Sequence, residues 1–117
     1  MEGLREILQS FESGDTVRGA AIIGDDGLVI HDSLFPGADS EAVAALAVTT
    51  MRHAKQFGGA GGCGTLRTAV LDFGEGPAIL SVLTSSATLV VLAHPDRDLG
   101  LLLYELRTRR AALAGLV

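Results

Sequence analysis

The glycine-rich stretch after residue 57 has the spacing of a nucleotide-binding turn. Residues 59–64 fit the G-x-G-x-x-G pattern, whose backbone amides hold a pyrophosphate at a helix N-terminus. That chemistry needs a strand before the glycines and a helix after them. Here residues 41–57 predict a helix and residues 65–73 a strand, which is the reverse order. We therefore expect a helix-to-strand loop without a nucleotide, with Gly58 or Gly59 as the left-handed helix terminator.

The histidines and the single cysteine are the remaining candidates for metal binding or nucleophilic catalysis. His31, His53 and His94 lie far apart in the sequence, and no H-x-x-x-H or C-x-x-C spacing accompanies them. Cys63 has no nucleophile motif around it. We therefore predict no catalytic residue, no cofactor and no metal site, and an enzyme is the weakest of the functional hypotheses.

Composition narrows the class of protein further. The chain has 117 residues, 48% of them hydrophobic and 20% charged, which fits one folded domain over residues 1–117. A net charge of −5 argues against a nucleic-acid partner. One cysteine and no signal peptide indicate a cytoplasmic protein. No apolar run reaches the roughly 18 residues of a membrane span, so we expect no membrane insertion.

The hydrophobic patterns predict elements in the order α-β-β-α-β-β-β-α. The first helix is predicted from the apolar stripe Leu4, Ile7, Leu8 and Phe11, and the last from Leu99, Leu102, Leu103, Leu106 and Leu113, with Asp96 or Asp98 as its cap. The predicted strands are 17–24, 28–34, 65–73, 77–84 and 87–94, and the central helix is 41–57. Because most connections are hairpins, the fold class is α+β with a largely antiparallel sheet.

The central helix is apolar around more of its circumference than one buried face requires. One face, which we expect to cover the sheet, carries Val43, Leu46, Ala47, Thr50, Ala54 and Phe57. Ala44, Val48 and Met51 extend the apolar surface beyond it. An alanine-rich helix would be the simpler explanation, since alanine is the best helix former. Because Val48 and Met51 are costly to leave in water, we favour a second, intermolecular contact and expect both to face a partner.

The chain resembles a roadblock/dynein-light-chain domain over residues 3–114. The resemblance rests on the element order, the hairpin AAIIGDDGLVI, the helix LAVTTMRHAKQF and the ending TAVLDF…AILSVLTSSATLVVLAHPDRDLGLLLYELR. It is strongest towards bacterial single-domain members, including MglB-type proteins. It implies a five-stranded antiparallel sheet, with the first and last helices on one face and the central helix on the other. It also implies a homodimer in which the central helices pack together and the third strands pair.

The resemblance further implies a binding module that regulates a small Ras-like GTPase without an arginine finger. A structural scaffold in a signalling complex, without GTPase contact, is the alternative. The residues expected at the dimer interface are Ala44, Ala47, Val48, Met51, Lys55, Leu66, Thr68 and Val70. Those expected to contact the GTPase from the outer side of the central helix are Thr49, Arg52, His53 and Gln56.

Overall fold

An antiparallel five-stranded sheet with one helix on each face forms the described part of the protein, residues 17–95 and 98–117 of the computed structural model. The strands are β1 (Val17–Gly24), β2 (Val29–Ser33), β3 (Thr68–Phe73), β4 (Gly76–Thr84) and β5 (Ala87–Ala93), and the helices are α1 (Ser40–Ala60) and α2 (Leu99–Ala114). The fold class is therefore α+β, as predicted. The helix predicted from Leu4 to Phe11 lies outside the described residues.

The strand order in the sheet is β2-β1-β5-β4-β3, and every pair is antiparallel. Three short turns connect the hairpins β1–β2, β3–β4 and β4–β5. In contrast, β1 and β5 pair although they lie far apart in the sequence. The strands predicted over 28–34 and 65–73 are shorter than expected. The outer positions of the sheet belong to β2 and β3, so β3 pairs with β4 on one side and with no described strand on the other.

The two faces of the sheet are covered by different helices because successive strand residues point to opposite sides. On one face, Ile22 and Ile79 pack with Leu102 and Leu106 of α2. The other face packs against α1. Its buried cluster contains residues of β1, β4 and β5, two alanines of α1 and one methionine of α1: Ala21, Ile23, Leu80, Val90, Ala44, Ala47 and Met51. The predicted placement of the central and last helices on opposite faces is confirmed, as is the leucine stripe of α2.

The beginning of α1 is fixed by two carboxylates. Asp39 caps the helix by accepting a hydrogen bond from the Ala42 amide at 3.1 Å. Asp32, on β2, accepts hydrogen bonds from the Ser40 hydroxyl and the Leu34 amide. The bond from Ser40, and next the bond from Leu34, lower the pKa of Asp32 because both favour the charged carboxylate. These contacts tie the start of α1 to the edge strand β2.

The end of α1 lies beyond the predicted terminator. Gly58 and Gly59 are helical, and the chain leaves the helix at Gly62, whose φ is +67°. Cys63 N donates to Gly58 O at 2.8 Å and Gly62 N donates to Gly59 O at 3.2 Å, the paired bonds of a Schellman motif. The prediction that Gly58 or Gly59 adopts the left-handed conformation is wrong, because the glycine that closes this motif comes later in the run.

The orientation of α1 on the sheet also differs from the prediction. Met51 is 4% exposed and packs against the sheet, so the expectation that it faces a partner is wrong. Leu46 and Phe57 were expected to cover the sheet but are 65% and 80% exposed. Ala44 and Ala47 are buried on the side of Met51. These small residues, at a spacing of i and i+3, let the helix approach the sheet closely, and that approach sets the helix rotation.

A glycine at the start of β4 is required by close backbone packing. Gly76 has φ +124°, and a Cβ atom built there would lie 2.1 Å from the carbonyl oxygen of Ala93. We expect Gly76→Ala to lower the free energy of unfolding by about 2–4 kcal/mol, through the clash and the strained φ. Gly74→Ala, two residues earlier, meets nothing within 4 Å and should change stability by less than about 0.5 kcal/mol. Urea denaturation of both variants measures the difference, and equal losses would contradict this account of Gly76.

The rotation of α1 gives a second prediction from two apolar positions of this helix, one exposed and one buried. Met51→Asp places an unpaired charge in the core and should lower the free energy of unfolding by about 3–5 kcal/mol. Leu46→Asp puts the same charge on an exposed position, so the folded monomer should persist. Circular dichroism with thermal unfolding distinguishes the two variants. If the Met51→Asp protein were stably folded and the Leu46→Asp protein unfolded, the buried and exposed faces assigned to α1 would be wrong.

Candidate protein–protein interface

The outer edge of β3 presents unpaired backbone groups. Val82 N donates to Arg67 O at 2.9 Å, and the β3–β4 register sets Thr68 opposite Ser81. Because the backbone bonds of a strand alternate between its two sides, the N–H and C=O groups of alternate residues point away from β4. These residues are Thr68, Val70 and Asp72. Such an edge is a template on which another strand can pair.

Large apolar side chains stand exposed on one side of α1. Leu46 and Phe57 are 11 positions apart, close to three helical turns, so they share one flank of the helix. Phe73, at the end of β3 on the α1 face of the sheet, is also exposed. Helix and edge strand thus both leave apolar surface uncovered on the same side of the sheet. Surface of this kind is typical of protein–protein contacts.

The opposite flank of α1 faces other segments of the same chain. Val48 and Lys55 line a shallow cleft of about 170 Å³ together with Thr84 and Thr88 of the β4–β5 hairpin and Asp25 of the β1–β2 turn. Val48 is partly buried there. These two residues of the predicted dimer interface therefore face the molecule's own hairpin turns, and Lys55 remains exposed.

Of the other residues predicted at the dimer interface, Leu66, Thr68 and Val70 lie at the β3 edge. Their side chains are divided between the two faces of the sheet. Leu66 packs with the cluster beneath α1. Thr68 and Val70 pair with Ser81 and Ile79 and point to the α2 side. Ala44, Ala47 and Met51 are buried by their own sheet, so they lend no surface to a partner in this conformation.

The outermost row of α1 carries the four residues predicted to bind a GTPase: Thr49, Arg52, His53 and Gln56. All four are exposed. The Thr49 hydroxyl donates to the Ala45 carbonyl at 3.2 Å, and Arg52 reaches the cleft that contains Asp25. Their contact with a GTPase remains a prediction.

A basic groove of about 850 Å³ runs along the β3 edge towards α2. Its polar lining includes the side chains of Arg67, Arg107 and Arg110. Arg110 donates to the hydroxyls of Thr68 and Ser81, both at 2.9 Å, and its buried Nε has no hydrogen-bond partner among the residues that the structure describes. Three positive charges therefore meet in a protein whose net charge is −5. Arg107 and Arg110 are close in the sequence of α2, whereas Arg67 precedes β3, so sequence reasoning did not bring Arg67 together with them.

The remaining chemistry-bearing residues are scattered through the fold. The glycine-rich run forms the C-terminal end of α1 and the loop after it, so its amides do not open a helix as a dinucleotide turn requires. Cys63 is an exposed free thiol within this run. Within residues 17–95 and 98–117, no three His, Cys, Asp or Glu side chains gather in a way that could hold a metal ion. Neither described helix combines the length and apolar character needed to cross a bilayer.

Comparisons with known proteins agree on one family. The Roadblock/LC7 domain model matches residues 4–93. Two uncharacterised proteins of Methanocaldococcus jannaschii are each 31% identical over 106 residues, covering 91% of this chain and 90% of the relative. A Roadblock/LC7 domain from Streptomyces avermitilis superposes with a TM-score of 0.85 at 22% identity, covering 97% of both chains. The gliding protein MglB of Thermus thermophilus gives 0.83 at 18% identity, over 97% of this chain and 87% of that one.

The structural similarities show the shared fold, and the family match and the archaeal relatives together cover most of the sequence. The chain belongs to the Roadblock/LC7 domain family.

Proposed function

We propose that this protein is a homodimeric adaptor that binds a small Ras-like GTPase. The observation that carries the proposal is the pair of uncovered surfaces on one side of the sheet, the exposed flank of α1 and the unpaired edge of β3. Pairing of two β3 edges would satisfy their outward backbone groups. The same two-fold arrangement would remove apolar residues of α1 from water. This burial stabilises a dimer by roughly 25 cal/mol per Å² of apolar surface.

The GTPase would bind on the outer row of α1, Thr49, Arg52, His53 and Gln56. These side chains are polar and exposed, so the row is stable in water before a partner binds. In the dimer, two copies of the row would lie near the two-fold axis, and one GTPase across the axis would exclude a second. We therefore expect one GTPase per dimer. The structural resemblance to an MglB protein is consistent with this class of partner and by itself establishes only the fold.

If this surface changes the rate of GTP hydrolysis, it would do so by positioning groups of the GTPase itself. Arg52 lies in the middle of α1, which is a rigid element. An arginine finger must reach the γ-phosphate inside the GTPase site. A rigid, flat helical surface offers little reach, so we assign Arg52 to binding through acidic groups of the partner. The adaptor role thus requires no catalytic side chain from this protein.

The dimer is tested by a charge on the exposed flank of α1. Sedimentation at micromolar concentration should give about twice the 12.1 kDa chain mass for the unaltered protein. Leu46→Asp should shift this equilibrium towards monomer by at least about tenfold, because dimerisation would desolvate the charge. Leu101→Asp makes the same change at an exposed leucine of α2, on the other face, and should keep the dimer. A monomeric unaltered protein, or equal loss in both variants, would refute the proposed interface.

The GTPase surface is tested by removing the positive charge at position 52. Arg52→Ala should weaken binding of a Ras-like GTPase from the same genome by about 1–2 kcal/mol, the scale of a charge-assisted hydrogen bond. Calorimetry with the GTPase loaded with GDP or a GTP analogue measures this loss. At saturating adaptor, the hydrolysis rate should stay within about twofold of that with the unaltered protein, since no finger is removed.

The matched control for this experiment is Arg107→Ala, which removes an exposed arginine from α2 on the other face of the sheet. At adaptor concentrations where sedimentation shows both variants to be dimeric, this control should leave GTPase affinity unchanged. A thousandfold fall in hydrolysis with binding retained would identify Arg52 as a finger. A dimer that binds no GTPase in either nucleotide state would favour the scaffold alternative.

A further inference from the structure

The outward hydrogen-bonding groups of β3 select the register in which two copies of it can pair. Thr68, Val70 and Asp72 each direct one N–H and one C=O group away from β4. A two-fold axis normal to the sheet makes the paired strands antiparallel and keeps both α1 helices on one side. Centring the axis on Val70 sets Thr68 opposite Asp72 of the partner subunit. This register pairs all the outward groups of the three residues.

Other registers leave part of the edge unpaired. An axis at Leu71 sets Val70 opposite Asp72 and carries Thr68 past the end of β3, because the strand ends at Phe73. An axis at Ala69 sets Asp72 opposite a residue of the partner subunit that precedes the beginning of β3. Both registers preserve the faces of the sheet, since directly opposed residues must share a face. They differ from the Val70 register in the number of hydrogen bonds and in the residue that faces Asp72.

The Val70 register places a carboxylate beside the basic groove. Thr68, Val70 and Asp72 all point to the α2 side, where Thr68 accepts a hydrogen bond from Arg110 at 2.9 Å. Opposed residues in such a hydrogen-bonded pair lie about 5.5 Å apart between Cα atoms. Asp72 of the partner subunit would therefore lie next to the guanidinium that holds Thr68.

The positive charge of the groove favours a carboxylate as its occupant. The described hydrogen bonds of Arg110 go to two neutral hydroxyls, those of Thr68 and Ser81. Arg67 and Arg107 line the same groove, and none of the described residues that line it is acidic. Asp72 is the only carboxylate within β3. A carboxylate near a partly buried arginine forms a stronger contact than one in open solvent.

We propose that Asp72 of each protomer forms an intersubunit ion pair with Arg110 of the other, in a β3–β3 ladder centred on Val70. This proposal rests on the homodimer proposed above and specifies its register. Each groove is completed by the second copy, which supplies an anion to a lining that has none among the described residues. The pair occurs twice in the dimer because of the two-fold symmetry.

The first test compares two carboxylates of the same hairpin. Asp72→Asn should raise the dimer dissociation constant roughly 10- to 100-fold, because two charge-assisted contacts are lost at once. Glu75→Gln removes a charge from the adjacent turn, outside the paired residues, and should change the constant less than about threefold. Analytical ultracentrifugation measures both. Equal effects of the two changes would overturn the ion pair.

A double-mutant cycle separates the pair from the role of Arg110 inside its own chain. Arg110→Gln also removes bonds to Thr68 and Ser81, so its single effect includes changes within the protomer. If the ion pair exists, Asp72→Asn should have little further effect in the Arg110→Gln background. Full additivity of the two changes in the dissociation constant would contradict it. Circular dichroism of each variant establishes that the protomer remains folded.

The second test reads the register directly by disulfide formation. In a Cys63→Ser background, Val70→Cys should cross-link the dimer on mild oxidation, since the two cysteines would face each other across the axis at a distance that permits a disulfide. Leu71→Cys should remain largely uncross-linked. Preferential cross-linking at position 71 would overturn the register while leaving the homodimer intact. A monomer at all concentrations would instead refute the homodimer itself.

Discussion

Backbone hydrogen bonding along β3 is the constraint on which the surface of this protein depends. A strand inside a sheet satisfies its N–H and C=O groups on both sides, whereas β3 has a described partner only in β4. The strand contains no proline or lysine, the residues that commonly block edge pairing, and its one charge is Asp72. An edge of this composition is suited to pairing with another strand. The proposed dimer follows from that property more than from any single side chain.

The small residues of α1 determine which part of the helix is left for a partner. Ala44 and Ala47 bring the helix backbone close to the sheet, and Met51 fills the space one turn further along. This rotation turns Val48 towards the hairpin turns and leaves Leu46 and Phe57 in solvent. The exposed flank of α1 and the edge strand are therefore parts of one surface. The packing of two alanines in the core determines which helix residues belong to it.

Arg110 joins the last helix to the edge strand. Its guanidinium binds Thr68 on β3 and Ser81 on β4, so α2 is held against the outer part of the sheet. The same guanidinium lies in the groove with Arg67 and Arg107, which gives an acidic protein a local positive charge. A structural contact within the protomer thus also sets the electrostatics of the edge.

The sequence by itself determined the local features of the protein and the family resemblance. The Asp-Gly turn at 26–27, the alternating strands and the leucine stripe of α2 are short-range patterns, and the structure has the corresponding elements. The resemblance to the roadblock family rested on the same order of elements, and the family match agrees. Boundaries were less accurate, because the Schellman motif that ends α1 depends on which of several glycines takes the left-handed conformation.

Only the tertiary structure decided which residues are buried and which charges meet. Leu46 and Met51 are both apolar members of α1, and a helical wheel cannot choose between their flanks without the sheet beneath. Arg67 and Arg110 are far apart in the sequence, and they line one groove because β3, β4 and α2 fold onto one another. Helix and turn propensities act over a few residues, whereas the rotation of a helix and the meeting of distant charges depend on packing of the whole chain.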